Sequence, residues 1–151
     1  MRAATFAEIQ GEFLERVQQF VYCNMATIAP DNQPRSRIVH PVWGDDATGW
    51  ILSVPDTPKA KHLDHNPYVS LAYVHDINHP VYVECVAEFV TARKEHLRIW
   101  DIIKHAPPPM GFDPEPHYGS IDHPHWGVIQ LKAYRIELYT LRGGTVVWKA
   151  Q

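Results

Sequence analysis

The sequence predicts one mainly β domain of the α+β class, an antiparallel barrel whose ends are covered by short helices. Short runs of β-branched and aromatic residues, separated by turn clusters, make up most of the chain after residue 21. Between them lie a few segments with the period of an amphipathic helix. The chain of 151 residues has the length of a single domain and shows no internal repeat, so residues 1–151 are expected to fold as one unit.

The helices are predicted from their first residues and their apolar spacing. The segment Thr5–Glu8 has the form of a capping box, and apolar residues then recur at three- and four-residue steps. Thr57 is a predicted N-cap and Pro58 suits the first helical position, which indicates a short second helix. The predicted helices cover residues 6–20, 59–65 and 92–104.

The strands are predicted from apolar or alternating runs bounded by turn residues. They cover Tyr22–Ile28, Ser36–Trp43, Trp50–Val54, Val69–Val74, Val81–Val90, Trp126–Leu131, Tyr134–Leu141 and Thr145–Trp148. The first three are expected to form an antiparallel meander. Residues 105–125 contain six prolines, which excludes a regular helix or ladder over most of that segment. Its apolar residues favour an ordered lid or a dimer contact.

Composition and motifs exclude several classes of function. A net charge of −3 lacks the positive surplus of a nucleic-acid-binding protein, and no apolar run is long enough to span a membrane. Two cysteines in apolar runs, and the lack of a signal-peptide pattern, predict a cytoplasmic protein with free thiols. His62 and His65 have a spacing that suits a metal, but no further ligand lies at a suitable spacing, so no metal site is predicted.

Two blocks of sequence resemble the flavin-binding split-barrel family that includes pyridoxamine-phosphate oxidase. The first is a turn followed by Pro34–Val39, with the pattern Pro-Arg-x-Arg-x-Val. The second is Thr57–Lys59, a short helix and Asn66–Pro67 before the next strand. Together with the strands Trp126–Ile129 and Tyr134–Leu138, the resemblance covers roughly residues 5–148. It implies an antiparallel split β-barrel of the FMN-binding type with short capping helices.

The resemblance also implies a function. Members of this family are homodimers that hold FMN at the subunit interface, and the chain is accordingly expected to be an oxidoreductase that moves a hydride through flavin N5 to or from a small molecule. The alternatives are a deazaflavin-dependent reductase on the same fold, or a non-catalytic protein that binds flavin or haem. No catalytic side chain is assigned, because the cofactor supplies the chemistry.

The chemistry of a phosphate group singles out the basic residues of the two blocks. A dianionic phosphate is bound well by a guanidinium, an ammonium and hydroxyl or amide donors, which Arg37, Lys59 and Thr57 supply if their segments converge. The resemblance gives these residues the same role. Arg35 lies on the same face of its strand as Arg37 and is a plausible second cation. Lys61 is expected to point into solvent.

The resemblance places the isoalloxazine ring along the two strands that precede the second helix. The backbone groups expected to line it belong to Ile38, Val39, His40, Leu52 and Ser53. Trp126, Trp148 and the proline-rich segment are candidates for the other wall, or for packing at a dimer interface. The C-terminal residues lack the Arg-Leu-x-Asp-Arg motif of true pyridoxamine-phosphate oxidases, so the vitamin B6 substrate is not carried over and the substrate stays open.

Overall fold

A computed structural model describes residues 1–151 and contains nine strands and four helices. In chain order these are β1 (Arg2–Ala3), α1 (Phe6–Gln19), β2 (Cys23–Ile28), β3 (Pro34–Val39), β4 (Val42–Trp43), β5 (Thr48–Leu52), α2 (Pro58–His65), β6 (Tyr68–Tyr73), β7 (Val81–Phe89), α3 (Arg93–His105), α4 (Glu115–Tyr118), β8 (Val128–Thr140) and β9 (Gly144–Lys149). The predicted mainly β fold with short helices is confirmed. None of the helices combines the length and the apolar character needed to cross a bilayer.

All nine strands belong to one open, mixed sheet. Its hydrogen-bonded order is β1-β9-β8-β7-β6-β2-β3, while β5 pairs with β8 and β4 pairs with β5. Every pair is antiparallel except β1 with β9. The sheet wraps around a single apolar core to which both α1 and α3 contribute buried side chains.

Strand β8 joins the two halves of this sheet. Residues 128–132 pair with β5 and residues 135–140 pair with β9, while β7 runs along the other side of both stretches. The prediction of two separate strands here is wrong. The ladder passes from Cys85–Ala133 to Glu84–Arg135, so Tyr134 is an extra residue in a β-bulge. The bulge shifts the alternation of side chains without ending the strand.

The antiparallel pairings of the predicted meander of the first three strands are confirmed, but its middle strand is broken into two, β3 and β4. Strand β3 pairs with β2, but the predicted strand 36–43 ends at Val39 and resumes as β4 after Pro41. Proline has no backbone N–H and cannot continue the ladder. Strand β5 pairs with β4 on one side and with β8 on the other. The candidate site lies between the C-terminal ends of strands β3 and β5.

Helix α1 packs its apolar face into the core, as its spacing predicts. Ile9, Phe13 and Val17 are its buried residues, and the ring of Phe13 lies edge-on to Trp43 with centroids 5.2 Å apart. The helix begins at the predicted cap, where the Glu8 carboxylate accepts the Thr5 backbone N–H at 2.7 Å. The period of 3.6 residues places these side chains on one stripe, so sequence alone is sufficient to define the buried face.

Replacing Phe13 by Ala should lower the free energy of unfolding by roughly 3–5 kcal/mol, because a fully buried ring leaves a cavity that its neighbours cannot fill. The matched control is Phe20→Ala at the end of the same helix, where the side chain is 43% exposed, and a loss below about 1 kcal/mol is expected. Urea unfolding at equal protein concentration measures both. Equal losses would contradict the assignment of the buried face.

Candidate functional site

A cavity of about 300 Å³ opens where β3, β5 and α2 meet. It is lined by Tyr22, Ile38, Val39, His40, Val42, Ile51, Leu52, Lys59, Phe112 and Tyr118. Five of these, namely Ile38, Val39, His40, Leu52 and Lys59, are residues that the sequence predicts around a cofactor. The structure brings these five together from three segments of the chain.

The walls of this cavity are mostly apolar, and Lys59 is its one permanently cationic residue. Apolar and aromatic walls with a few polar groups are typical of sites for planar organic ligands. Two other clefts of similar or larger volume are lined mainly by charged and polar side chains, including Glu12 and Glu15 in one and Asp45 and Asp46 in the other. The cavity at β3 and α2 is therefore the best candidate for an aromatic cofactor.

One basic side chain, Lys59, lines the cavity, and a second, Arg37, lies near enough for its charge to act on Lys59. Arg37 is partly buried on β3, and Lys59 stands in the first turn of α2. Neither forms a salt bridge with a carboxylate. Burial, and then the charge of Arg37, lower the pKa of Lys59, and burial lowers the pKa of Arg37. Two adjacent cations without a counter-ion are a site for an anion.

Two hydroxyl groups on the segment between β5 and α2 are buried and have no hydrogen-bond partner. They are Ser53 Oγ and Thr57 Oγ1. Thr57 occupies the N-cap of α2, as predicted, but its hydroxyl makes no capping bond. A buried hydroxyl without a partner costs free energy, so an incoming acceptor is stabilised there. The start of α2 adds the positive end of the helix dipole. These residues fit the phosphate of a flavin nucleotide.

Arg35 shares the face of Arg37 but lies farther out on β3. Its guanidinium is exposed and bonds to the Asp31 carboxylate at 3.2 Å. The charge of Arg35 is therefore balanced by Asp31, whereas Arg37 has no carboxylate partner. The role of Arg35 as a second phosphate-binding cation stays a prediction. Lys61 is exposed on α2.

Sequence reasoning missed the polar residues that contact Arg37. The Thr27 hydroxyl accepts a hydrogen bond from Arg37 Nη1 at 2.8 Å and lies 2.8 Å from His62 Nδ1. His65, considered with His62 as a metal pair, instead places its Nε2 3.0 Å from Asn32 Oδ1. No group of three His, Cys, Asp or Glu residues is arranged to hold a metal. The sequence signal that could have indicated this contact is Thr27, a polar residue on the buried, otherwise apolar face of β2.

The proline-rich segment forms one wall of the cavity. Phe112 and Tyr118 line it, and the segment is held by a 2.8 Å contact between His40 Nε2 and the Met110 carbonyl. Burial lowers the pKa of His40, and the bond to the Met110 carbonyl opposes this shift. The segment is ordered and includes one short helix, α4. The prediction of little regular structure is confirmed for the rest of it.

The two predicted tryptophans lie outside the cavity lining of the protomer. Trp126 is buried against Trp100 and Tyr118, with ring centroids 4.9 and 5.3 Å away, and its indole N–H donates to His96. Trp148 packs on Phe6 with centroids 5.1 Å apart. Trp126 thus supports the proline-rich wall through Tyr118. A contribution of either ring to a partner's site stays a prediction.

The sequence matches the family model described as pyridoxamine 5'-phosphate oxidase over residues 9–115. No curated protein matches the chain. Among solved structures, a protein from Clostridium acetobutylicum related to general stress protein 26 and assigned to the pyridoxinephosphate oxidase family has a TM-score of 0.73, 16% identity and coverage of 94% of each chain.

Two further structures share the fold. An FMN-binding, pyridoxamine 5'-phosphate oxidase-related protein from Nostoc punctiforme has a TM-score of 0.68 at 14% identity, covering 94% of this chain and 87% of that one. A heme-binding protein from Mycobacterium smegmatis has a TM-score of 0.65 at 16% identity, covering 97% of this chain but 58% of that one. These likenesses confirm the predicted split β-barrel.

The docking of the proline-rich wall depends on Gly111, where a Cβ would lie 2.1 Å from the Ala106 carbonyl oxygen. Gly111→Ala should therefore displace the segment and lower the free energy of unfolding by about 1–3 kcal/mol. Gly11→Ala is the matched control, since nothing lies within 4 Å and alanine should stabilise helix α1 by up to about 1 kcal/mol. Urea unfolding measures both, and a neutral Gly111→Ala would refute the close contact.

Proposed function

The chain belongs to the pyridoxamine 5'-phosphate oxidase family, and from this premise we propose that it is a homodimeric, FMN-dependent oxidoreductase acting on a small molecule. The observation that carries the proposal is the polar end of the cavity. Lys59 lines the cavity, the charge of Arg37 acts on it, and neither pairs with a carboxylate. The segment between β5 and α2 adds two buried hydroxyls that have no partner. An anionic tail attached to a flat apolar group matches both ends of this site.

Four side chains would hold the phosphate. Arg37 offers a planar guanidinium whose donors can pair with two phosphate oxygens, and Lys59 adds a compact charge. Thr57 and Ser53 supply hydroxyl donors from the two sides of the turn before α2. A dianion between the two cations would reverse the effect that lowers the pKa of Lys59. Binding of the phosphate should therefore raise the pKa of Lys59.

The rest of the cavity would hold the isoalloxazine ring. When bound, FMN supplies the capacity to accept or give a hydride. Ile38, Val39 and Leu52 offer apolar contact and backbone groups along one side. Phe112 and Tyr118 of the proline-rich wall would limit the access of water to the ring. The protein residues thereby orient the ring and leave room for a small substrate.

A surface beside the cavity that carries few charged side chains supports the proposed homodimer. Two rows of paired residues cross the outer face of β3, β2, β6 and β7, namely Ile38, Asn24, Ala72 and Tyr82, and Ser36, Ala26, Ser70 and Glu84. Strands β2 and β6 place no charged side chain on this face. Depletion of charge is characteristic of the centre of an interface. A second copy is the occupant that the family implies.

The same surface reaches the mouth of the cavity. Ile38 is 68% exposed, Tyr22 is 50% exposed, and both also line the cavity. A partner subunit on this face would cover them and close the ring site from outside.

Both cysteines are buried and free, which fits the expected cytoplasmic setting.

Haem is the weaker alternative for this cavity. His40 is the histidine in its lining, and its Nε2 already bonds to the Met110 carbonyl. Axial ligation through that nitrogen would break the contact that holds the proline-rich wall. A deazaflavin coenzyme also has a phosphate and a planar ring, so the spectrum of the loaded protein separates it from FMN.

The double variant Arg37→Ala/Lys59→Ala should weaken FMN binding at least a hundredfold, because each charge-assisted contact contributes about 1.5–3 kcal/mol. Quenching of flavin fluorescence on titration with the purified protein measures this. Lys61→Ala removes an exposed lysine of the same helix and should change little. Unchanged FMN affinity in the double variant would contradict the proposed phosphate site. A Soret band without flavin binding would favour haem.

Ala72→Glu should convert the proposed dimer into a folded monomer, since an unpaired carboxylate in the centre of an interface costs several kcal/mol. Sedimentation velocity gives the mass, and circular dichroism confirms the fold. Lys94→Glu on α3 is the control and should remain dimeric. A monomeric wild-type protein, or a dimer that tolerates Ala72→Glu, would contradict the proposed interface.

A further inference from the structure

A buried polar chain lies against the Arg37 guanidinium. Thr27 is fully buried on the inner face of β2, with its hydroxyl oxygen 2.8 Å from Arg37 Nη1 and 2.8 Å from His62 Nδ1. Arg37 Nη2 lies 3.4 Å from the same imidazole nitrogen. A guanidinium can only donate, so His62 Nδ1 accepts from Arg37 Nη2, and the Thr27 hydroxyl, which accepts from Arg37 Nη1, donates to the same imidazole nitrogen. His62 Nδ1 must therefore be unprotonated.

We propose, resting on the proposed function, that Thr27 and neutral His62 are positioning residues that hold Arg37 in the orientation that binds the FMN phosphate. Neither residue needs to contact the cofactor. An arginine side chain loses about 2 kcal/mol of rotamer entropy when it is fixed, and fixing it before binding removes that cost from the binding step. The hydroxyl donating to His62 is also a better acceptor for Arg37, because linked hydrogen bonds polarise one another.

The neutral side chains of Thr27 and His62 suit this role better than a carboxylate would. An aspartate or glutamate in place of His62 would neutralise Arg37 and compete with the phosphate. Neutral acceptors fix the guanidinium and leave its positive charge available. His62 is only 8% exposed, so its imidazole is packed inside the protein and is not a surface histidine.

The protonation state of His62 then controls the arrangement. The charged or titratable groups around it are Arg37, Arg35, Asp31 and His65. Burial, and then the charges of the two arginines, lower the pKa of His62, so the ring stays neutral near neutral pH. A proton on Nδ1 would remove the acceptor of both the Thr27 hydroxyl and Arg37 Nη2, so the guanidinium would no longer be held in place. FMN affinity should accordingly fall as pH falls through this lowered pKa.

The test compares FMN with riboflavin, which has the same ring and no phosphate. His62→Phe removes the acceptor, and Thr27→Val removes the hydroxyl at nearly constant volume. Each should weaken FMN binding roughly tenfold and leave riboflavin binding unchanged, as expected for loss of one charge-assisted contact. His62→Asn retains an acceptor near the position of Nδ1, and Thr27→Ser retains the hydroxyl, so both should bind FMN within about twofold of wild type.

Arg37→Ala separates this proposal from the proposed function. If His62→Phe and Thr27→Val bind FMN as tightly as wild type while Arg37→Ala does not, the positioning role is wrong and the phosphate site stands. If Arg37→Ala also binds normally, the phosphate site itself is wrong. Thermal unfolding checks each variant, and Thr27→Val, as the near-isosteric change, decides the matter should His62→Phe fail to fold.

The pH dependence gives an independent readout. The FMN phosphate has its own second pKa of about 6, which affects wild type and His62→Asn alike. Between about pH 8 and about pH 5, the ratio of FMN to riboflavin affinity should fall more steeply in wild type, because only wild type has a titrating group at residue 62. Parallel profiles for the two proteins would overturn the role of the neutral imidazole.

Discussion

The placement of two cations side by side without a carboxylate is the constraint on which the candidate site depends. Arg37 and Lys59 repel one another, and this repulsion contributes to the lowered pKa of Lys59. The fold tolerates it because Thr27 and His62 satisfy the guanidinium with neutral acceptors. An anionic ligand would relieve the repulsion, which is why we propose a phosphate-bearing molecule before any contact with the ring is considered.

The sheet fixes the distance between the two sides of this site. Strand β8 holds β5 on one side and β7 on the other, and the end of β5 approaches residue 127 so closely that a Cβ there would lie 2.3 Å from the Ser53 carbonyl. Glycine permits that approach, and the Ser53 N–H donates to the Gly127 carbonyl at 3.0 Å. Ser53 and the turn into α2 are therefore held by the sheet and not by a flexible loop.

Sequence patterns were sufficient for the elements that depend on local contacts. Helix α1 begins at its predicted cap, α2 begins at Pro58, and α3 matches its prediction within one residue at each end. Strand pairing was less predictable. The chain breaks at Pro41 between β3 and β4, and β8 runs through the bulge at Tyr134 to pair with β5 and then with β9. Such pairing depends on closure of the whole sheet, which no short window of sequence contains.

The sequence by itself determined the fold class, because alternation and spacing specify which face a side chain occupies. Its similarity to a known family determined the family and the residues that can carry the chemistry. Only the tertiary structure decided that Arg37 is uncompensated while Arg35 pairs with Asp31, that Thr27 and His62 contact the guanidinium, and that Phe112 closes the cavity. The contacts that His62 makes with Thr27 and Arg37 join segments 25 to 35 residues apart in the chain, and their distances are set by how the barrel packs and not by local periodicity.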